Sequence, residues 1–144
     1  MIEAVVEKWH SYLAERSPAL LDDLLDDDVV FFSPIVYTPQ VGKALTAMYL
    51  RAASQTFPGD HADDATGGAA ERSFHYTKQV LAGDTAVLEF ESKMQGTYVN
   101  GVDIIRSNDA NKIVEFRVMI RPLQAVQMVH QQMGAALERL HPPS

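Results

Sequence analysis

Asp103 is the residue whose type and setting could do chemistry. It lies inside Tyr98–Arg121, a stretch that reads as two strands joined by a tight turn at Ser107-Asn108-Asp109-Ala110-Asn111. Alternation puts Asp103 on one face with Ile105, Phe116, Val118 and Ile120, and puts Ile104, Arg106, Glu115, Arg117, Met119 and Arg121 on the other. A carboxylate on an apolar face is costly to bury, so it takes up a proton or marks a site. Two readings compete for it: a neutral hydrogen-bond donor in a pocket, or a structural carboxyl bonded to backbone or to Tyr12, Tyr37, Tyr49 or Tyr76. His75 is a candidate general base, but it alternates with Phe74 and Tyr76, and the more apolar pair should face inward. The expected ligand walls are Trp9, Phe32, Tyr37, Tyr49, Leu88, Phe90, Ile105, Phe116 and Val118. Their competing reading is ordinary core packing.

Other chemistries find little support. The chain has no cysteine, which removes thiolate catalysis, disulfides and cysteine-held zinc. His10, His61, His130 and His141 lack metal-ligand spacing. Asp26-Asp27-Asp28 lacks the glycine and the spacing of a calcium loop and reads as a solvated helix-to-strand turn. No phosphate-cradling glycine loop or nucleophile elbow is present. We expect no metal and no cofactor. A net charge of -7 without a basic stripe argues against nucleic acid as a partner. No apolar run approaches the roughly 18 residues of a membrane span, and Glu3, Glu7, Lys8 and Glu15 stand where a signal peptide would be apolar. The expectation is a cytoplasmic protein with no membrane partner.

The elements that must position Asp103 follow from periodicity. At 144 residues the chain suits one domain with a real core, residues 1–144. Ile2, Val5, Val6, Trp9 and Leu13 mark an amphipathic helix over 2–16, and Ser17-Pro18 caps a second that carries Leu20, Leu21, Leu24 and Leu25. A short strand at Val29–Ser33, a loop over 34–41 and a third helix over 43–56 come next. Residues 58–70 read as a loop, either merely solvated or a lid. Strands over 72–81 and 85–94 precede the central hairpin, and a two-residue turn at Gln95-Gly96 sets Leu88 opposite Asp103. Within the hairpin, Arg106 is expected to pair with Ile113, which sets Asp103 opposite Phe116. Pro122 then opens a last helix through Val126, Val129, His130, Met133 and Leu137. Helices gathered on the concave face of a curved antiparallel sheet make an α+β domain. Its wide end should hold a pocket between the sheet and the first and third helices.

GVDIIRSNDANKIVEFRVMIRPL, with DDDVVFFSP and GKALTAMYL before it, resembles the nuclear transport factor 2-like superfamily in its SnoaL-like, ketosteroid-isomerase-like branch. The resemblance covers nearly the whole chain. It implies a cone-shaped α+β barrel, commonly dimeric, and a range of activities from isomerases, cyclases, epoxide hydrolases and dehydratases to non-catalytic modules. It also implies that Asp103 matches the isomerases' protonated oxyanion-hole aspartate. Their base aspartate corresponds to Ser33 before Pro34, and their oxyanion-hole tyrosine to Trp9. A serine cannot take a carbon-bound proton unaided, and an indole is a donor of no useful acidity. Classical steroid isomerisation is therefore not expected.

Three functions remain in view. The first is a domain that binds a small apolar molecule through Asp103. The second is a metal-free isomerase, cyclase or dehydratase acting on a cyclic ketone or alcohol. The third is a dimeric interaction module with a vestigial pocket. Val102, Ile104 and Met119 among alternating charges on the convex face suit a homodimer contact.

Overall fold

Apolar residues at Ile2, Val5, Val6 and Trp9 share one helical face, and the chain forms α1 (Ile2–Glu15) with that face buried. The structure, a computed structural model, describes residues 1–56 and 74–140. Helix α1 ends where Arg16 takes a left-handed conformation, φ 55°, and its N–H bonds the Tyr12 carbonyl. Ser17 Oγ accepts from Leu20 N at 3.4 Å and Pro18 occupies the first turn, opening α2 (Pro18–Leu24). Helix α3 spans Lys43–Thr56 and α4 spans Leu123–Leu140. Among the described residues no helix is long and apolar enough to cross a membrane.

The strands are β1 (Leu25–Phe32), β2 (Gln40–Val41), β3 (His75–Ala82), β4 (Thr85–Met94), β5 (Thr97–Ser107) and β6 (Ile113–Arg121). They form one sheet in the order β2-β1-β6-β5-β4-β3, which curves without closing. Helices on a curved sheet give the expected α+β architecture, with two corrections. The sheet is mixed, because β1 runs parallel to β6, and the two-residue β2 pairs with the outer side of β1. Alternation reports which face a residue takes but not which strand lies beside it, so neither pairing was accessible from periodicity. Strand β1 also begins earlier than expected. Asp26, Asp27 and Asp28 lie in it rather than in a turn, around a register shift between Leu25 and Val30 that leaves Asp27 and Asp28 exposed.

The turn at Gln95 (φ 50°) and Gly96 (φ 81°) is of the kind that matches strand twist, and it sets Leu88 opposite Asp103. The other side of the hairpin is displaced from expectation: Asp103 pairs with Val118, and Phe116 pairs with Ile105. Asn108 holds the longer turn, its Oδ1 accepting from Ala110 N at 2.9 Å and Lys112 N at 3.1 Å. A slip of two residues keeps every side chain on its own face, so the inner and outer faces stand. The loop expected over 58–70, and the start of the strand expected from Arg72, lie outside the described residues.

Two apolar clusters cover the inner face. One joins Leu21, Leu24, Leu25, Val29, Ile105 and Ile113 to Trp9 and Phe116; the other gathers Phe90, Met94 and Val99 under Ala125 and Val129 of α4.

Candidate functional site

The two clusters are bridged by Tyr76 and Val118, which pack against both. Between them lies a cavity of about 540 Å³, whose wall includes Trp9, Phe31 and Phe116 from one cluster and Phe90 and Val129 from the other. That volume falls within the range of small-molecule sites.

Strand β5 brings Asp103 to this wall, between Leu88 on β4 and Val118 on β6. Only 5% of the residue is exposed. Tyr76 on β3 donates its hydroxyl to Asp103 Oδ2 at 2.6 Å, and Trp9 Nε1 donates to Tyr76 Oη at 2.8 Å. An indole N–H can only donate, so the tyrosine oxygen accepts from Trp9 and directs its single proton at Asp103. Oδ2 is therefore an acceptor, and a proton on the carboxyl belongs on Oδ1. Among the described residues no other side-chain hydrogen bond reaches Asp103. Burial pushes its pKa up to about 7, against the opposing pull of the Tyr76 hydrogen bond. Burial and the adjacent carboxyl push Tyr76 well above 10.0.

The expected wall residues separate into two groups. Trp9, Tyr49, Phe90, Phe116 and Val118 border the cavity beside Asp103. Leu88 and Ile105 take the inner face but are packed into the core cluster and do not border the cavity. Phe32 is on the outer face, under the Arg117 guanidinium at 3.8 Å, and its neighbour Phe31 takes the inner place beside Tyr49. Consecutive strand residues face opposite ways, and Phe31 shares the inner face with Val29 and Leu25. Tyr37, 99% exposed on its loop, reaches no part of the cavity wall. His75 borders the cavity but pairs with Glu91, its Nε2 lying 3.8 Å from Glu91 Oε1.

Ser33 reaches the cavity where the resemblance places it, but its Oγ accepts from Ile35 N at 2.9 Å and Val36 N at 3.3 Å. Its lone pairs are held by backbone. Helix α4 forms a wall that sequence reasoning missed, through Val129, His130, Met133, Gly134 and Leu137. The signal was present in the helical spacing of Val129, Met133 and Leu137, which cannot by itself separate a core stripe from a cavity stripe. His10 and Arg16 of α1 also border the cavity. Among the described residues no three His, Cys, Asp or Glu side chains are grouped as a metal site.

No protein-family model and no curated protein sequence matches the chain. Solved structures do. A steroid delta-isomerase from Pseudomonas aeruginosa is 31% identical with a TM-score of 0.81, over 96% of this chain and 92% of that one. The chain belongs to the nuclear transport factor 2-like superfamily, in its SnoaL-like, ketosteroid-isomerase-like branch. A bacterial protein with a cystatin-like fold from Silicibacter pomeroyi DSS-3 is 26% identical with a TM-score of 0.76, over 91% of this chain and 83% of that one. An NTF2-like protein from Mesorhizobium loti shares the fold at 18% identity and a TM-score of 0.65, over 83% and 90% of the two chains. Superfamily members of this branch carry varied activities on one scaffold, so the reaction must be argued from the site.

Proposed function

We propose that the protein binds a small, ring-bearing, largely apolar molecule in the cavity, with neutral Asp103 donating a hydrogen bond to its carbonyl or hydroxyl. One observation carries the reading: a carboxyl with a pKa of about 7, its Oδ2 held by Tyr76, on the wall of an otherwise largely apolar cavity of about 540 Å³. Likeness to a steroid delta-isomerase supports a flat polycyclic ligand. Isomerisation needs a base over the ring, worth roughly 10² to 10⁴ in rate, and Ser33 is held by backbone. Trp9 directs its N–H at Tyr76, leaving Asp103 without the second donor that an enolate needs.

The chain has a single tryptophan, which stands in the cavity wall, so its emission reports occupancy. A steroid ketone should change Trp9 emission saturably. Binding should weaken as pH rises through about 7, because the carboxylate cannot donate. A β,γ-unsaturated ketosteroid should bind without appearance of the conjugated-enone absorbance. Saturable binding that ignores pH would reject Asp103 as the donor, and failure of any steroid or phenol to bind would reject the site.

A second reading is favoured by the same pKa, since a carboxyl near 7 can give and take a proton at neutral pH. Asp103 would then serve a metal-free isomerase, cyclase or dehydratase. Turnover of a cyclic ketone or alcohol that Asp103→Asn abolishes would establish it.

We also propose a homodimer through the outer face. Val102 and Ile104 are half-buried there and Met119 is 51% exposed, while Glu115 already pairs with Arg106 at 3.0 Å and Arg117 at 2.9 Å. Sedimentation should show a dimer that Val102→Lys with Ile104→Lys dissociates; a concentration-independent monomer would refute it. The acidic, cysteine-free chain supports a cytoplasmic location, which fractionation of cells would test.

A further inference from the structure

Beside its serines, tyrosines and histidines, the described cavity wall carries one carboxyl, Asp103, and one guanidinium, Arg16. Asp103 lies at the buried end, joined through Tyr76 to Trp9 of α1. Helix α1 then runs along the wall from Trp9 to Arg16, seven residues further, or roughly 10 Å at the rise of an α-helix. Ala14 and Arg16 border the cavity while exposed to solvent, as do Val36 on the loop after β1 and His130 and Gly134 on α4, so Arg16 stands where the cavity opens to water.

The opening is cationic in a protein whose net charge is -7. Arg16 carries a full positive charge there, larger than the half-charge of the helix end beside it. Burial raises the pKa of the nearby Tyr12 hydroxyl, against the Ser54 hydrogen bond and the smaller effects of the Arg51 and Arg16 charges, which lower it. His130 on α4 stands on the same wall, His10 on α1 is taken up by Gln79 Oε1 at 3.1 Å from its Nε2, and Asp103 is the sole carboxyl among the described wall residues. Arg16 makes no ion pair among the described residues. The left-handed turn at φ 55° fixes where its side chain leaves the helix.

We propose that the ligand is an amphipathic acid: a rigid apolar body with a carbonyl or hydroxyl at Asp103 and, at its other end, a carboxylate held at the opening by Arg16. This rests on the cavity being a ligand site, and it names the ligand's class. The apolar body satisfies the walls, and the carboxylate stays at the wet end, where its desolvation is slight. A neutral ligand of the same shape leaves Arg16 unused.

The test uses an androstenone bearing a carboxylate on its D ring and the methyl ester of the same steroid, with Trp9 emission as the readout. The acid should bind about three- to five-fold tighter than the ester at low salt, the range of an exposed ion pair. Added salt should shrink that preference. Arg16→Gln keeps a long polar side chain at the same backbone position and should erase the preference by weakening the acid alone. Equal binding of acid and ester to wild type would overturn the proposal while leaving the cavity as a ligand site. A preference that survives Arg16→Gln would also overturn it. Binding of neither compound would reject the cavity reading and this proposal together.

Discussion

Ile105 and Asp103 are two residues apart on one strand and face the same way, yet they have opposite surroundings. Ile105 is sealed at 0% exposure in the cluster with Leu21, Leu24 and Leu25, while Asp103 borders a cavity of about 540 Å³. The sheet treats both alike, so the difference comes from what covers them. Beside Ile105, leucines of α2 and β1 fill the space. On the cavity wall with Asp103, α3 and α4 present small residues, Ala53, Ser54 and Gly134, among larger ones such as Tyr49 and Met133, and leave space open. A carboxyl can be tolerated at 5% exposure there because the space beside it is open and Tyr76 satisfies one oxygen.

Truncation should separate the two regions most clearly. Ile105→Ala opens a void in a closed core and should cost about 2–5 kcal/mol, read by denaturant unfolding. Val118→Ala, on the cavity wall, should cost less than half as much, because its side chain already borders empty space. Equal losses would break the comparison.

Asp103→Asn probes the open region through pH. The folded pKa of about 7 lies above the unfolded value of 3.8, so the neutral carboxyl's contribution is complete below 3.8 and is lost as pH rises through about 7. Over that window wild type should lose on the order of 4 kcal/mol relative to the variant, whose amide oxygen can still accept from Tyr76. The variant should therefore gain on wild type with rising pH. A variant several kcal/mol less stable at every pH would mean an ionised, paired Asp103.

Glycines mark the same contrast on a smaller scale. A Cβ at Gly101 would meet the Phe90 ring and lie 2.6 Å from the Met119 carbonyl oxygen, so Gly101→Ala should cost about 1–3 kcal/mol by overpacking. At Gly134, on the cavity side of α4, a Cβ meets nothing within 4 Å. Gly134→Ala should stabilise the helix by up to about 1 kcal/mol, seen as a higher unfolding midpoint.

Much of the fold was legible because its signals are local. A two-residue turn fixes register, so Gln95-Gly96 determined that Leu88 faces Asp103. Ser17-Pro18 and Pro122 mark helix starts, and the bounds of α3 follow from its periodicity and the breaker after it. The parallel pairing of β1 with β6 is a long-range choice with no local signature, and Phe31, not Phe32, shares the inner face with Val29. At the site, alternation placed Asp103, Phe90, Phe116 and Val118 inward, and Tyr76 was one of four possible partners for the carboxyl. Periodicity could not show that Leu88 and Ile105 are sealed while Val118 borders the cavity, because that depends on which helix side chains pack across from each.

Carbon-detected NMR titration of the Asp103 carboxyl, with and without a saturating steroid ketone, tests the central claim most directly. In the free protein the midpoint should fall near 7, and the ketone should move it higher, because a ligand that accepts the carboxyl's proton binds the neutral form. A midpoint near the ordinary 3.8, or one that a bound ketone leaves unmoved, would contradict a neutral Asp103 that holds the ligand.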